Sequence, residues 1–184
     1  MRIIAGRFKG AFLFSPRGMD VRPTPDKVRG AIFNIIGSDI EGAGFLDLFG
    51  GTGAVGLEAL SRGAAQVTIV DNSTAELVRK NADKLKANTG ITVRKQDAFS
   101  AMAAFAARGM KFDFIFADPP WQAGLEERIV DSAANILAPG GIFILEANKK
   151  TAVPIAGSGH SIQLAQTRKY GDAQLCFYMR AGGE

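Results

Sequence analysis

The sequence predicts an α/β fold: a mostly parallel sheet with helices on both faces, preceded by a short hairpin and helix and closed by an antiparallel hairpin on the sheet edge. Three observations predict it. From Phe45 onward, short apolar runs alternate with helix-length segments, the mark of a parallel sheet covered on both sides. A glycine-rich turn separates the first such run from the first such helix. The last two strand-like runs have no helix-length insert between them, so they pair antiparallel.

The elements follow in order. Arg2 to Ala5 and Ala11 to Phe14 flank a Gly6…Gly10 turn and read as a hairpin. Thr24 is a suitable N-cap with Pro25 at the first helical position, and Val28, Ile32, Ile35 and Ile36 share one face of a helix that stops near Gly37. Phe45 to Phe49 is a buried strand, Ala54 to Arg62 a helix closed by Gly63, and Gln66 to Val70 a strand. Thr74 to Ala87 is a helix, Ile91 to Arg94 a strand, Phe99 to Arg108 an Ala-rich helix, and Phe112 to Ala117 a strand. Leu125 to Leu137 is a helix that Pro139-Gly140-Gly141 stops, and Ile142 to Glu146 is the fifth strand. Ser161 to Gln166 and Gln174 to Met179 form the final hairpin around Lys169-Tyr170-Gly171-Asp172.

A length of 184 residues fits one domain with a real core. No apolar run approaches the roughly 20 residues of a membrane span. Arg2 stands where the apolar stretch of an export signal should begin. The single Cys176 lies in an apolar run and reads as a buried small hydrophobe; with one His as well, no zinc cluster is expected. These features predict a cytoplasmic protein without metal; a monomer is expected, though none of these features specifies it. The net charge of +4 is uneven. Arg2, Arg7, Lys9, Arg17, Arg22, Lys27 and Arg29 face only Asp20 and Asp26 in the first 29 residues, which predicts a polyanion partner. Arg2, Arg7, Lys9, Arg22, Lys27 and Arg29 are the candidate nucleic-acid contacts.

Gly51-Thr52-Gly53-Ala54-Val55-Gly56 matches G-x-G-x-x-G after a strand and at the start of a helix, and Asp71 ends the next strand twenty residues on. This is a Rossmann-like arrangement for a ligand with an adenosine ribose, and by itself it fits NAD, FAD and S-adenosylmethionine alike. Two details discriminate. Asp47 would repel a pyrophosphate, whereas the cationic ammonium and sulfonium of S-adenosylmethionine gain from an anion. Asp97-Ala98, after the third strand, can accept from an adenine amino group while the next N–H caps the ring. Phe49 and Asn72, beside these acids in sequence, complete the candidate cofactor contacts with Asp47, Gly51, Gly53, Asp71, Asp97 and Ala98.

Asp118-Pro119-Pro120-Trp121 follows the fourth strand directly. An exocyclic or amide amine is a poor nucleophile because its lone pair is delocalised. Two acceptors gripping its N–H bonds turn that lone pair toward a methyl donor. Asp118 can supply one and the Pro119 carbonyl the other, held by proline's fixed φ and the Pro-Pro step. Trp121 can stack on an extruded base, worth roughly 1–3 kcal/mol. The chemistry is direct displacement at sulfonium, driven by positioning.

Asp47-Leu-Phe-Gly-Gly-Thr-Gly-Ala-Val-Gly-Leu-Glu-Ala-Leu-Ser-Arg-Gly-Ala64 and Arg22-Pro-Thr-Pro-Asp-Lys-Val-Arg-Gly-Ala-Ile-Phe-Asn34 resemble the RsmD-type bacterial 16S ribosomal RNA guanine-N2 methyltransferases. The opening Met1-Arg-Ile-Ile-Ala-Gly6 and Arg168-Lys-Tyr-Gly171 are similar too, so the resemblance spans nearly the whole chain. It implies a seven-stranded class I methyltransferase sheet, S-adenosylmethionine as donor, and a guanine amine of the small ribosomal subunit as acceptor, with the assembled or partly assembled subunit preferred to naked RNA. It places the methionine end on Asp47, Gly51 and Gly53, the ribose on Asp71, the adenine on Asp97 and Ala98, and the target on Asp118 to Trp121. Two residues depart from the pattern: Trp121 stands where the family has Tyr or Phe, and Gly30 where it has Glu. Asp-Pro-Pro-Trp is similar instead to the loop of RNA adenine-N6 enzymes. The alternatives are therefore an adenine-N6 or protein-glutamine methyltransferase, or, from another class, an NAD-type oxidoreductase or sensor.

Overall fold

The computed structural model describes residues 1–15, 25–121, 123–157, 159 and 161–180. Thr24, Arg22 and His160 lie outside the described residues. The chain divides into two compact units, Met1–Asp97 and Ala98–Glu184.

The first unit contains α1 (Asp26–Ile36), a 3-10 turn (Gly37–Ile40), β1 (Gly44–Leu48), α2 (Ala54–Ser61), β2 (Gln66–Val70), α3 (Ala75–Lys84) and β3 (Ile91–Arg94). Its strands pair in parallel, with β2 between β1 and β3; Asp47 lies opposite Ile69 and Leu48 opposite Val70. Both faces of β1 and β2 are buried, as a parallel strand requires. Phe45, Leu46, Leu48 and Ile69 are inaccessible, and Phe33 of α1 stacks on Phe45 at 6.0 Å between ring centroids.

The second unit contains α4 (Ala98–Ala107), β4 (Phe112–Ala117), α5 (Glu126–Ala134), β5 (Leu137–Asn148), β6 (Ile162–Tyr170) and β7 (Ala173–Arg180). β5 runs parallel to β4 and antiparallel to β7, which forms the edge hairpin with β6. Its core holds Phe105 edge-on to Phe112 and Phe143 stacked on Tyr178. Cys176 is fully buried here, and burial raises its thiol pKa. The strand order is β3-β2-β1 in the first unit and β4-β5-β7-β6 in the second, seven strands of mixed direction.

Three expectations are corrected. The helix before β5 ends at Ala134, and β5 begins at Leu137 rather than Ile142. Pro139-Gly140-Gly141 is absorbed as a bulge, because pairing with β4 shifts from Phe112↔Leu137 to Phe114↔Ile142. Pro25 occupies the N-cap position of α1, which begins at Asp26, one residue later than expected. The N-terminal hairpin forms no strands. A single antiparallel bridge, Arg2↔Phe12, holds it, with Ile3 N–H donating to the Ala11 carbonyl at 3.0 Å.

Candidate active site

The first unit assembles the glycine turn from its sequence upward. Gly51 and Gly53 take positive φ, and Phe49, at φ 60°, does so without being glycine. Such a backbone at a half-buried aromatic is uncommon and concentrates at functional turns. Gly56 lies against β2: a Cβ there would stand 2.7 Å from Ile69 side-chain carbons. The third glycine of the motif thus serves close helix–strand packing.

The predicted acids sit around this turn with distinct partners. Asp47 is buried, and its Oδ2 accepts from the Gly56 N–H at 2.9 Å, fixing the start of α2 against β1. Asp71 is half-buried. Its Oδ2 accepts from Gly51 N–H at 3.0 Å, and its Oδ1 from Ser73 N–H at 2.8 Å, Ser73 Oγ at 3.0 Å and Thr74 N–H at 2.7 Å. One carboxylate thereby stitches the glycine turn to the start of α3. Burial raises the Asp71 pKa, but the N–H groups of Thr74, Gly51 and Ser73 outweigh it and hold the carboxyl below its usual range. Asn72 beside it is exposed. Asp97 is exposed and immediately precedes α4, whose first residue, Ala98, is buried. Small glycine backbone plus acids at or near the ends of three successive strands is a donor and acceptor set that fits an adenosyl sulfonium amino acid.

In the second unit, Asp118 leaves β4 half-buried, Pro119 is buried, Pro120 is exposed and Trp121 is half-buried. A buried Pro119 on a rigid strand end supports a fixed carbonyl.

The N-terminal segment is seated on the first unit by contacts the sequence did not announce. Glu58 of α2 is inaccessible, and its two oxygens accept from Ile4 N–H at 2.8 Å and Ala5 N–H at 3.0 Å. Arg62 Nε donates to Glu58 at 2.7 Å, and Arg29 Nε lies 3.6 Å away. Ser61 donates through Oγ to the Ala5 carbonyl at 2.6 Å and accepts from Phe8 N–H at 3.0 Å. Gly6, at φ 79°, is pressed so closely that a Cβ would fall 1.9 Å from the Ser61 carbonyl oxygen. Asn81 of α3, also inaccessible, bonds Phe14 and the Thr52 carbonyl of the glycine turn. The sequence carries one partial signal, Glu58 within the apolar run of α2; the structure buries every residue of that helix, and a carboxylate there must be paired.

One candidate nucleic-acid contact is overturned. Arg29 is fully buried, with Nη2 donating to Asp26 Oδ1 at 2.9 Å and to the Arg2 carbonyl at 2.5 Å, so its charge serves the arm's seat and meets no phosphate. Arg2, Arg7, Lys9 and Lys27 are exposed. Among the described residues, no group of His, Cys, Asp and Glu has the arrangement of a metal site, and no helix is long and apolar enough to cross a membrane.

A glycine turn and an Asp-Pro-Pro loop on a Rossmann-like mixed sheet define the methyltransferase class of this fold. The family model described as conserved hypothetical protein 95 matches residues 1–179, and the chain belongs to that family. It is 34% identical over 166 residues to ribosomal RNA small subunit methyltransferase D of Escherichia coli (strain K12), covering 88% of this chain and 82% of that one. It is 34% identical over 188 residues to YlbH of Bacillus subtilis (strain 168), 99% and 100% of the two chains. The solved structure of yhhF from Escherichia coli superposes with a TM-score of 0.82 at 33% identity, over 98% of this chain and 97% of that chain.

Proposed function

We propose that the chain transfers a methyl group from S-adenosylmethionine to the exocyclic N2 amine of a guanine in 16S ribosomal RNA of the small ribosomal subunit. The observation that carries this reading is Asp118-Pro119-Pro120-Trp121 at the end of β4, in a chain related to ribosomal RNA small subunit methyltransferase D of Escherichia coli.

When bound, S-adenosylmethionine supplies an electrophilic methyl on a sulfonium. Asp71, held charged by backbone N–H groups, takes the ribose hydroxyls; Asp97 and Ala98 take the adenine; Asp47, Phe49, Gly51, Gly53 and Asn72 shape the methionine side. Asp118 and the Pro119 carbonyl accept from the two N–H bonds of the target amine, and Trp121 stacks on its base. Arg2, Arg7, Lys9, Arg22 and Lys27 neutralise phosphate. In this reading the chain acts in the cytoplasm as a monomer and one methyltransferase domain, without metal, on assembled or partly assembled subunits.

Trp121 favours a second reading, an adenine-N6 amine as acceptor. The deciding experiment incubates the protein with labelled cofactor and small subunits that lack the modification, then maps the product by mass spectrometry. A methyl on guanine N2 is expected; a methyl on adenine N6 would install the second reading, and no transfer would overturn both.

A further inference from the structure

The loop after β4 leads into α5, and beside the start of that helix lies a cleft of about 400 Å³ lined by Gly124, Glu126, Glu127, Ala152, Val153 and Pro154. That volume falls within the roughly 300–1,000 Å³ of small-molecule sites. One wall is braced: Tyr178 Oη donates to the Pro154 carbonyl at 2.7 Å, and Gln174 Nε2 to the Thr151 carbonyl at 2.7 Å. Burial, then Cys176 and Glu126, raise the Tyr178 pKa, which keeps that phenol a donor. The other wall carries Glu126, which is only 8% exposed and makes no hydrogen bond or ion pair among the described residues. Glu126 lines the cleft with an acceptor that no donor among the described residues occupies, which is complementary to a ligand that brings a donor.

Guanine brings one in the required position. Its N1–H lies next to the N2 amine on the same edge, whereas adenine presents an N1 lone pair there. We propose that this cleft holds the flipped purine and that Glu126 accepts a hydrogen bond from guanine N1–H, making it the residue that selects guanine over adenine. The proposal rests on the amine-methylating reading of Asp118 to Trp121 and deepens it, because it decides between the two bases that Trp121 leaves open.

The test uses 2,6-diaminopurine, which keeps the C2 amine but has a lone pair at N1. Small subunits are reconstituted with guanosine or 2,6-diaminopurine riboside at the mapped position, and kcat/KM is measured for each. Wild type is expected to prefer guanosine by about ten- to a hundredfold. Glu126→Gln, whose amide can donate to N1, is expected to lower kcat/KM on guanosine about tenfold and bring the ratio near one. Glu126→Asp, which keeps the acceptor, is expected to retain the preference. An equal wild-type rate on both purines, or the same preference in Glu126→Gln as in wild type, would overturn the proposal and leave Glu126 as a helix-dipole residue. Absence of methylation on either purine by wild type would instead overturn the underlying amine-methylating reading.

Discussion

Asn81 and Phe14 are joined by a reciprocal pair of hydrogen bonds: Phe14 N–H donates to Asn81 Oδ1 at 2.7 Å, and Asn81 Nδ2 donates back to the Phe14 carbonyl at 3.1 Å. The same Nδ2 reaches the Thr52 carbonyl at 2.8 Å, so one buried amide ties the N-terminal arm to the glycine turn. Replacing Asn81 with Ala strands three backbone groups. Each buried unsatisfied group costs about 1–3 kcal/mol. A loss of at least about 2 kcal/mol in denaturant unfolding is expected, with weaker cofactor binding by calorimetry.

Glu58→Ala removes the acceptor of two arm amides and leaves Arg29 buried without that carboxylate. Breaking such a buried pair typically costs about 3–5 kcal/mol. In hydrogen exchange, the Ile4 and Ala5 amides are expected to lose protection while the β5 and β7 amides keep theirs. Uniform loss across both sets would show that Glu58 supports the whole fold rather than the seat of the arm.

Burial pushes the Asp71 carboxyl up, but the Thr74, Gly51 and Ser73 N–H groups hold it below the usual carboxylate range, so folding favours its ionised form. Its contribution to stability is present above about pH 4 and disappears as pH falls through the folded-state pKa. Wild type and Asp71→Asn are therefore expected to differ in unfolding free energy at pH 7 and to converge in strong acid. Asp71→Asn is also expected to bind cofactor more weakly; equal affinity would remove the ribose assignment.

Asp118→Ala is expected to lower kcat by about 10²–10⁴-fold, the range of a lost acid–base or orienting group, with cofactor affinity changed only a few-fold. Single-turnover methyl transfer separates the two effects. Unchanged turnover would remove the loop from the chemistry.

Binding to small subunits should fall with salt, and Arg7→Ala or Lys9→Ala should each reduce the slope of log K against log salt by about 1. Arg29→Ala should instead lower the melting temperature, because its guanidinium is inside.

The strands were legible where they are short, apolar and bounded by turn residues. β2, β3 and β4 span the same residues that the pattern predicts. β5 was not, because Pro139-Gly140-Gly141 is a stop by local rules and only pairing with β4 carries the chain through it. The candidate acids were legible for a similar reason, since the end of a strand is a local position. Glu58 contacts residues 54 and 53 positions away, and no local pattern specifies such a partner. Arg29 misled the charge count because, beyond its local partner Asp26, the Arg2 carbonyl and Glu58 enclose it from distant points of the chain.

The seat of the N-terminal arm is written in backbone. Glu58, Ser61 and Asn81 grip the N–H and carbonyl groups of Ile4, Ala5, Phe8 and Phe14, and every amino acid but proline carries both. The outward side chains of Arg2, Arg7, Lys9 and Phe12 can therefore drift over generations without unseating the arm. Descendants of such a protein can retune what the arm touches while its anchorage stays the same, a division between a heritable mount and an exchangeable face.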